Sequence, residues 1–413
     1  MKHVEFQHGL QSSTWYISRT HNTLLFPVSQ LMNYLTKNSF LSRFNEVHTY
    51  PHTFRSFARH AQVRTGNGKK LPLATYLREK HNQKETIHIL TIVYHKLILR
   101  KREILTNFYE KSLSVENCAY AKHGIPYSPM PLSALSNAKH PMLKNQIRNL
   151  HYLGILKNTT SDIPNVRPYL CVLEDLFRRW VVYYKLVTPS AIHYFQQDVI
   201  GSILSAYTFR ASIMNPYLVY SILSRLATSM KLDRLSLFTP TLGWSSYLVG
   251  ASALPIPLIR YTGIDVLPNV CKKTKKLAQH IVPDTRTMIY CQPSENFNLR
   301  KESSHIGQYD IVFFSPPYYK LEQYEKVMDE YETFEDWYRS YWLPTITLCH
   351  QVLRKDGRMA FILSLYGGYE GDISKMTKLP RTQFRFIRRY PIHNSRTMNQ
   401  TANMEYLYVY EKR

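Results

Sequence analysis

The chain has 413 residues, of which 44% are hydrophobic and 13% aromatic, with a formal net charge of +24 and a pI near 9.7. It is long enough for two domains with their own cores and too apolar for a disordered chain. So large a basic excess points to a polyanionic partner, nucleic acid before an anionic membrane surface. Residues 1–230 carry 28 Lys/Arg against 11 Asp/Glu, so most of the excess lies there. Five cysteines (Cys118, Cys171, Cys271, Cys291, Cys349) are widely spaced, with no CxxC or Cys/His cluster, which indicates neither a disulfide framework nor a metal site. No apolar run approaches the roughly 18 residues of a membrane span, and the N-terminus lacks the basic-then-apolar pattern of a signal peptide. A soluble intracellular protein, not secreted and with no membrane partner, is expected.

In chain order, residues 1–50 read as mixed short elements with a helix near 28–37. Residues 51–70 are rich in basic residues and histidine and end in Gly66-Asn67-Gly68-Lys69-Lys70, a turn flanked by two lysines. Residues 71–114 carry apolar side chains at helical spacing (Ile87, Leu90, Val93, Leu97, Ile104, Leu105) and a basic turn at Arg100, Lys101 and Arg102. Prolines 126, 129, 131 and 141 mark residues 118–145 as irregular; a helix follows over about 142–152, and 167–208 reads as helical, with Arg178-Arg179 as a second basic patch. The lysines and arginines named here, together with Arg396, are the candidate nucleic-acid contacts.

From about 231 the rhythm changes. Strands are expected at 234–239, 259–264, 287–291, 309–314 and 358–364, with helices between them, and two more near 384–390 and 405–411 as a closing antiparallel pair. Such alternation indicates a doubly wound α/β sheet whose ligands bind at the carboxyl ends of the strands. The expected organisation is a basic, mostly helical region over 1–165, a helical connection over 166–230 and a cofactor domain over 231–413.

The most informative stretch is Tyr309-Asp310-Ile311-Val312-Phe313-Phe314-Ser315-Pro316-Pro317-Tyr318. A buried strand is stopped by two prolines, which cannot donate to a ladder. The rigid turn that results offers a hydroxyl, backbone carbonyls and an aromatic face. That set suits chemistry on an exocyclic amine of a nucleobase. Ser315 Oγ and the Ser315 or Pro316 carbonyl would accept the amine hydrogens, and Tyr318 would stack on a base taken out of its duplex. Upstream, Thr239-Pro240-Thr241-Leu242-Gly243-Trp244 is a small-residue turn between strand and helix, and Asp265 ends the next strand, where an acid can accept from ribose hydroxyls.

Ser315-Pro316-Pro317-Tyr318 resembles the catalytic motif of the DNA amino-methyltransferases, which act on adenine N6 or cytosine N4. The run over 309–324, including Glu322 and Tyr324, is similar to the form found in phages and large DNA viruses. The resemblance covers residues 205–413, about half the chain. It implies a Rossmann-like class I methyltransferase domain with a seven-stranded, mostly parallel sheet, S-adenosylmethionine as cofactor, and double-stranded DNA as partner, with room for other protein subunits. It places Pro316 and Pro317 with Ser315 and Tyr318 in the catalytic turn, Thr239, Pro240, Gly243 and Trp244 in the cofactor loop, and Asp265 on the ribose. Asn215-Pro216 would meet the methionine end of the cofactor and Ser294-Glu295 its adenine ring. A viral protein of this kind would work in the host cytoplasm, the nucleus or the virion. Thr239 stands where the family has an acid, and Ser245, Ser246 and Tyr247 replace its glycines and basic residue. These departures keep open a methyltransferase fold that serves only as a DNA- or RNA-binding subunit; an RNA adenine methyltransferase is the third reading.

Overall fold

A computed structural model describes residues 16–17, 24–25, 37–45, 53–110, 124–159, 169–198, 213–319, 331–365, 370–393 and 404–413. They form two compact units: residues up to 110 with 170–198, and residues 124–159 with 213–413.

In the first unit, short helices Phe54–His60, Leu73–Arg78, Gln83–Val93 and Lys101–Glu110 accompany a three-stranded sheet ordered Lys70–Pro72, Gln62–Arg64, Val181–Tyr183. Thr53 and Asn82 cap two of the helices, each side-chain oxygen accepting from a first-turn N–H. The stretch 167–208 is not one helix. Helix Tyr169–Arg179 stops at Trp180, whose positive φ of 53° turns the chain into the β-branched strand Val181–Tyr183. The 71–114 stretch is likewise broken after Arg78, and Ile87 lies on the exposed side. The helix expected at 28–37 falls almost wholly outside the described residues.

The second unit is built on one sheet. Its strands are β1 (Leu135–Ser136), β2 (Leu235–Thr239), β3 (Leu258–Asp265), β4 (Arg286–Cys291), β5 (Tyr309–Phe314), β6 (Leu353–Leu365), β7 (Phe384–His393) and β8 (Met404–Lys412). They lie in the order β1-β7-β8-β6-β5-β2-β3-β4. Every pairing is parallel except those of β8, which runs against both β6 and β7. From β2 the chain winds outward through β3 and β4, then returns to β5 on the other side of β2. The switch point of this Rossmann-like sheet is therefore the gap between β2 and β5, beyond their carboxyl ends.

The helices are α1 (Pro141–Leu150), α2 (Tyr152–Asn158), α3 (Pro216–Ser229), α4 (Ser246–Ser252), α5 (Pro268–Ile281), α6 (Leu343–Val352) and α7 (Glu370–Met376). A Cβ on Gly250 of α4 would come within 2.6 Å of the Val219 side chain, so its bare backbone lets α4 press against α3. β2 and β5 are buried almost throughout, which fits the apolar runs that predicted them.

Two expectations are corrected. The sheet has eight strands because residues 124–159, assigned from sequence to the N-terminal region, add β1 to β7. The same segment is bonded to α3: Tyr217 Oη donates to the Ser128 carbonyl, the Met130 N–H to Ser221 Oγ, and Arg225 to the carbonyls of Pro129 and Met130. Residues 124–159 thus belong with the sheet, and α3 is one of its covering helices rather than a connection.

Candidate active site

A cleft opens at the switch point, beyond the carboxyl ends of β2 to β6. It encloses about 1140 Å³ of non-atom space, open solvent at its mouth included. Ser315, Pro316, Pro317 and Tyr318 line it on one side, and Pro240, Gly243, Trp244, Asp265, Ser294 and Glu295 on the other. Ten of the thirteen catalytic and cofactor positions expected from sequence therefore meet in one cavity.

The Ser315 turn is held from both sides. Its N–H donates to Tyr247 Oη at 3.0 Å, and its carbonyl accepts from Thr241 Oγ1 at 3.2 Å. The sequence reading offers that carbonyl to the amine; part of its capacity is already used. Ser315 Oγ instead faces the carbonyl of Ile362 on β6, 3.4 Å away. Tyr318 Oη lies 3.1 Å from Ser315 Oγ and donates to the Ile362 carbonyl at 3.3 Å. An open stacking face is expected for Tyr318, yet the ring is only 8% exposed, because the proline-stiffened turn brings its hydroxyl back over Ser315. Tyr318 Oη thus marks a point within hydrogen-bond reach of two oxygens.

On the cofactor side, Gly243 has φ +51°, and Trp244 and Ser245 follow at φ 55° and 67°. Two successive non-glycine residues in the left-handed region are costly and need outside support. Here the support is visible: buried Ser245 Oγ bonds His151 Nε2 at 2.8 Å and Thr274 Oγ1 at 2.6 Å. Burial and the nearby Lys273 hold the His151 pKa well below its ordinary value, so the imidazole stays neutral. Tyr247 is buried and stands edge-on to Phe313 at 5.1 Å. Ser245 and Tyr247 thus brace the loop against His151 at the end of α1, against α5 and against the Ser315 turn.

Asp265 ends β3. Its Oδ2 accepts from the Leu242 N–H at 3.2 Å and its Oδ1 from the Leu267 N–H at 3.0 Å. Burial nevertheless pushes its pKa up from 3.8 to about 6, the backbone donors only partly offsetting the loss of water. Each oxygen keeps lone-pair capacity for a ribose hydroxyl. Deeper in the cleft, Tyr341 Oη and Trp337 Nε1 are buried without a hydrogen-bond partner among the described residues. Glu295 lies close to Tyr341 and accepts from Tyr331 Oη at 3.3 Å. Trp342 holds a similar unpartnered donor elsewhere among the described residues, so these two add only that the cleft could offer donors to a ligand. A carboxylate with spare lone pairs at the end of β3 and aromatic donors in the same cleft are chemically compatible with a nucleoside-bearing cofactor.

Three expected cofactor contacts do not reach the cleft. Buried Thr239 lies within 3.2 Å of Tyr261 Oη and donates weakly to the Thr262 carbonyl. Asn215 caps α3 by accepting from the Tyr217 N–H and donates to the Lys139 carbonyl, so its side chain is committed to the chain itself. Pro216 is the first, buried residue of that helix. The neighbouring Met214 and Asn137 line the cleft instead. Glu405, at the start of β8, lines it too; only the register of β8 against β6, unreadable from local sequence, brings it there.

Among the nucleic-acid candidates, Lys69, Lys70 and Arg102 are exposed in the first unit. Arg100 is bonded to Glu103 and Asp198, and Arg179 to buried Asp175, which also holds Arg64; these two arginines are largely used within the fold. Lys101 and Arg178 are half-buried. Arg396, Glu322 and Tyr324 lie outside the described residues.

No family model matches the chain, and no curated protein matches it either. Among solved structures it is similar to TrmN from Thermus thermophilus (16% identity, 49% of this chain and 50% of that one, TM-score 0.34). It is also similar to the magnesium protoporphyrin IX methyltransferase ChlM from Synechocystis PCC 6803, solved with bound SAM (14%, 48% and 79%, 0.31). A third is the N-methyltransferase NodS from Bradyrhizobium japonicum WM9 (15%, 47% and 93%, 0.30). The chain spans half the length of TrmN. At such TM-scores these likenesses leave both fold and function to rest on the strand order and the cleft described above.

Proposed function

We propose that this chain is an S-adenosylmethionine-dependent methyltransferase that modifies an exocyclic amine of a nucleobase in DNA, adenine N6 in preference to cytosine N4. The observation that carries the reading is the pair of oxygens, Ser315 Oγ and the Ile362 carbonyl, which converge on one hydroxyl at 3.1 and 3.3 Å inside the cleft that holds Asp265. An aromatic amine is a weak nucleophile while its lone pair is delocalised. Two fixed acceptors on its hydrogens favour a more tetrahedral nitrogen.

S-adenosylmethionine supplies, when bound, an electrophilic methyl group on a cationic sulfonium. The residues suited to hold it are Asp265 for the ribose, Glu295 with Tyr341 for the base, and the Gly243 loop for the amino-acid end. The aromatic face of half-buried Tyr331, which lines the cleft, suits a cation. Ser315 and Ile362 orient the amine, and the walls around them exclude water. Tyr318 must swing away before the amine can enter, which frees its ring to lie against the base.

The test is transfer of labelled methyl groups to DNA by the intact chain, with Ser315→Ala beside it. The expected result is transfer by the parent and a loss of about 10²-fold in the variant, the usual cost of one fixed polar contact at the reacting group. Equal activity of both would overturn the assignment of Ser315. A second reading, a nucleic-acid-binding subunit without catalysis, is favoured by Thr239, which leaves the β2 turn without an acid for the cofactor ammonium, a contact worth about 1.5–3 kcal/mol. Nucleic-acid binding by the parent with no transfer to DNA or RNA would establish that second reading.

A further inference from the structure

The run from Lys378 to His393 contains Lys378, Arg381, Arg385, Arg388 and Arg389 and no carboxylate. Of these, Arg385 is neutralised by Glu411 on β8. Arg388 and Arg389 are exposed and have no carboxylate partner among the described residues. Each guanidinium rests on an aromatic ring, Arg388 at 5.7 Å from the centroid of Tyr390 and Arg389 at 4.4 Å from that of Tyr406. Stacking of this kind fixes the planar group while leaving its N–H edge free for an anion. Successive residues of a strand point to opposite faces, so the two arginines straddle β7. Phe386, 54% exposed, stands beside Tyr410 on the same stretch.

β7 is also an open edge. β1 pairs only with Ile392 and His393, so over 384–391 no strand covers its outer side among the described residues. The strand has a direction that matters. It runs parallel to β6, and its carboxyl end brings Ile392 level with Glu405, which lines the cleft. The basic strip therefore leads to the mouth of the site. Charge and proline on an edge strand also discourage aggregation, and Pro391 serves that purpose. Protection needs charge alone; it does not call for an exposed phenyl ring between arginines.

We propose that the edge of β7 is the phosphate track for the nucleic acid flanking the target base, with Arg388 and Arg389 on phosphates and Phe386 stacked on a base where the strand is single. This rests on the nucleic-acid substrate proposed above. It moves the backbone contact onto the catalytic unit itself, away from the N-terminal lysines and arginines that the sequence suggests.

The test measures affinity of the full chain for a DNA duplex and for one of its strands by fluorescence anisotropy, over about 50 to 200 mM salt. Removing two phosphate contacts in Arg388→Gln/Arg389→Gln should flatten the slope of log K against log salt by about 1.8 on the duplex and about 1.4 on the single strand. Lys275→Gln/Lys276→Gln, which removes the same charge from the exposed face of α5, should leave the slope unchanged. An unaltered slope in the arginine pair, or an equal change in both pairs, overturns the proposal. Phe386→Ala should weaken single-strand binding about fivefold or more and spare the duplex; an equal effect on both, or none, removes the stacking role. A parent that binds DNA with a steep salt slope but transfers no methyl group sinks the enzymatic reading and leaves the β7 track standing. A parent that binds no nucleic acid ends both.

Discussion

Replacing Asp265 by asparagine should match or improve the stability of the free protein near neutral pH while weakening its binding of S-adenosylmethionine. In the folded chain the carboxyl has a pKa of about 6 against an ordinary 3.8, because burial disfavours its charge. The folded state therefore binds the proton more tightly than the unfolded one. The stabilisation that this proton provides is complete below about pH 3.8 and is lost as the pH rises through about 6. By pH 7 the loss amounts to about 3 kcal/mol, at 1.36 kcal/mol per pH unit between the two values. Asp265→Asn cannot ionise and escapes that loss. It turns an amide NH₂ toward one of the two backbone donors that Asp265 now accepts, at a cost of about 1–3 kcal/mol. The variant should therefore be the less stable protein at pH 4 and equal or better at pH 7; about 2.4 kcal/mol separates the two pH values, which moves the difference in Tm by about 5–10 °C. Thermal melts of both proteins from pH 4 to 7.5, in the absence of cofactor, measure it. Melting curves that track each other at every pH would show that Asp265 carries no buried charge. Titration calorimetry with S-adenosylmethionine then checks the functional half, since a variant that binds as tightly as the parent would remove Asp265 from the ribose.

Tyr247→Phe should leave the Ser315 N–H without its acceptor, cost about 1–3 kcal/mol and lower the melting temperature by several degrees. Methyl transfer should fall with it, because the catalytic turn loses one of its two ties; unchanged melting and unchanged transfer together would show that the 3.0 Å contact does nothing. Tyr318→Phe removes the hydroxyl that occupies the amine site yet keeps the ring. Steady-state transfer should show KM for DNA lowered about two- to tenfold at unchanged kcat, the equivalent of one ordinary hydrogen bond no longer competing; a large fall in kcat would instead assign the hydroxyl to the chemistry.

Much of the cleft is legible in the sequence because its parts are local. Two prolines after an apolar run can only end the strand at Phe314, and an acid closing a strand two elements after a small-residue turn can only sit near that turn. Strands 309–314 and 286–291 fall within a residue of their expected limits for the same reason. What local pattern cannot give is pairing across the chain. Nothing in Leu135-Ser136 announces a strand; it becomes one because β7 offers an edge. Ile362 is an apolar strand residue like its neighbours, and only the parallel register of β5 against β6 sets its carbonyl beside Ser315. Asn215 and Thr239 do not line the cleft, and their polar atoms are bonded within the fold, Asn215 to Tyr217 and Lys139 and Thr239 to Tyr261 and Thr262.

Gly243 has a consequence for how this loop can vary. A Cβ there would fall 2.4 Å from Cζ of Tyr247, and that ring cannot retreat while its hydroxyl holds the Ser315 N–H. The glycine and the tyrosine are thus one structural unit, each limiting what can stand at the other position. Relatives with a side chain at 243 should have a small residue at 247 and some other support beneath the serine. A substitution matrix that scores the two positions separately would misjudge both, and a graft that moves the loop into another protein would have to carry the pair.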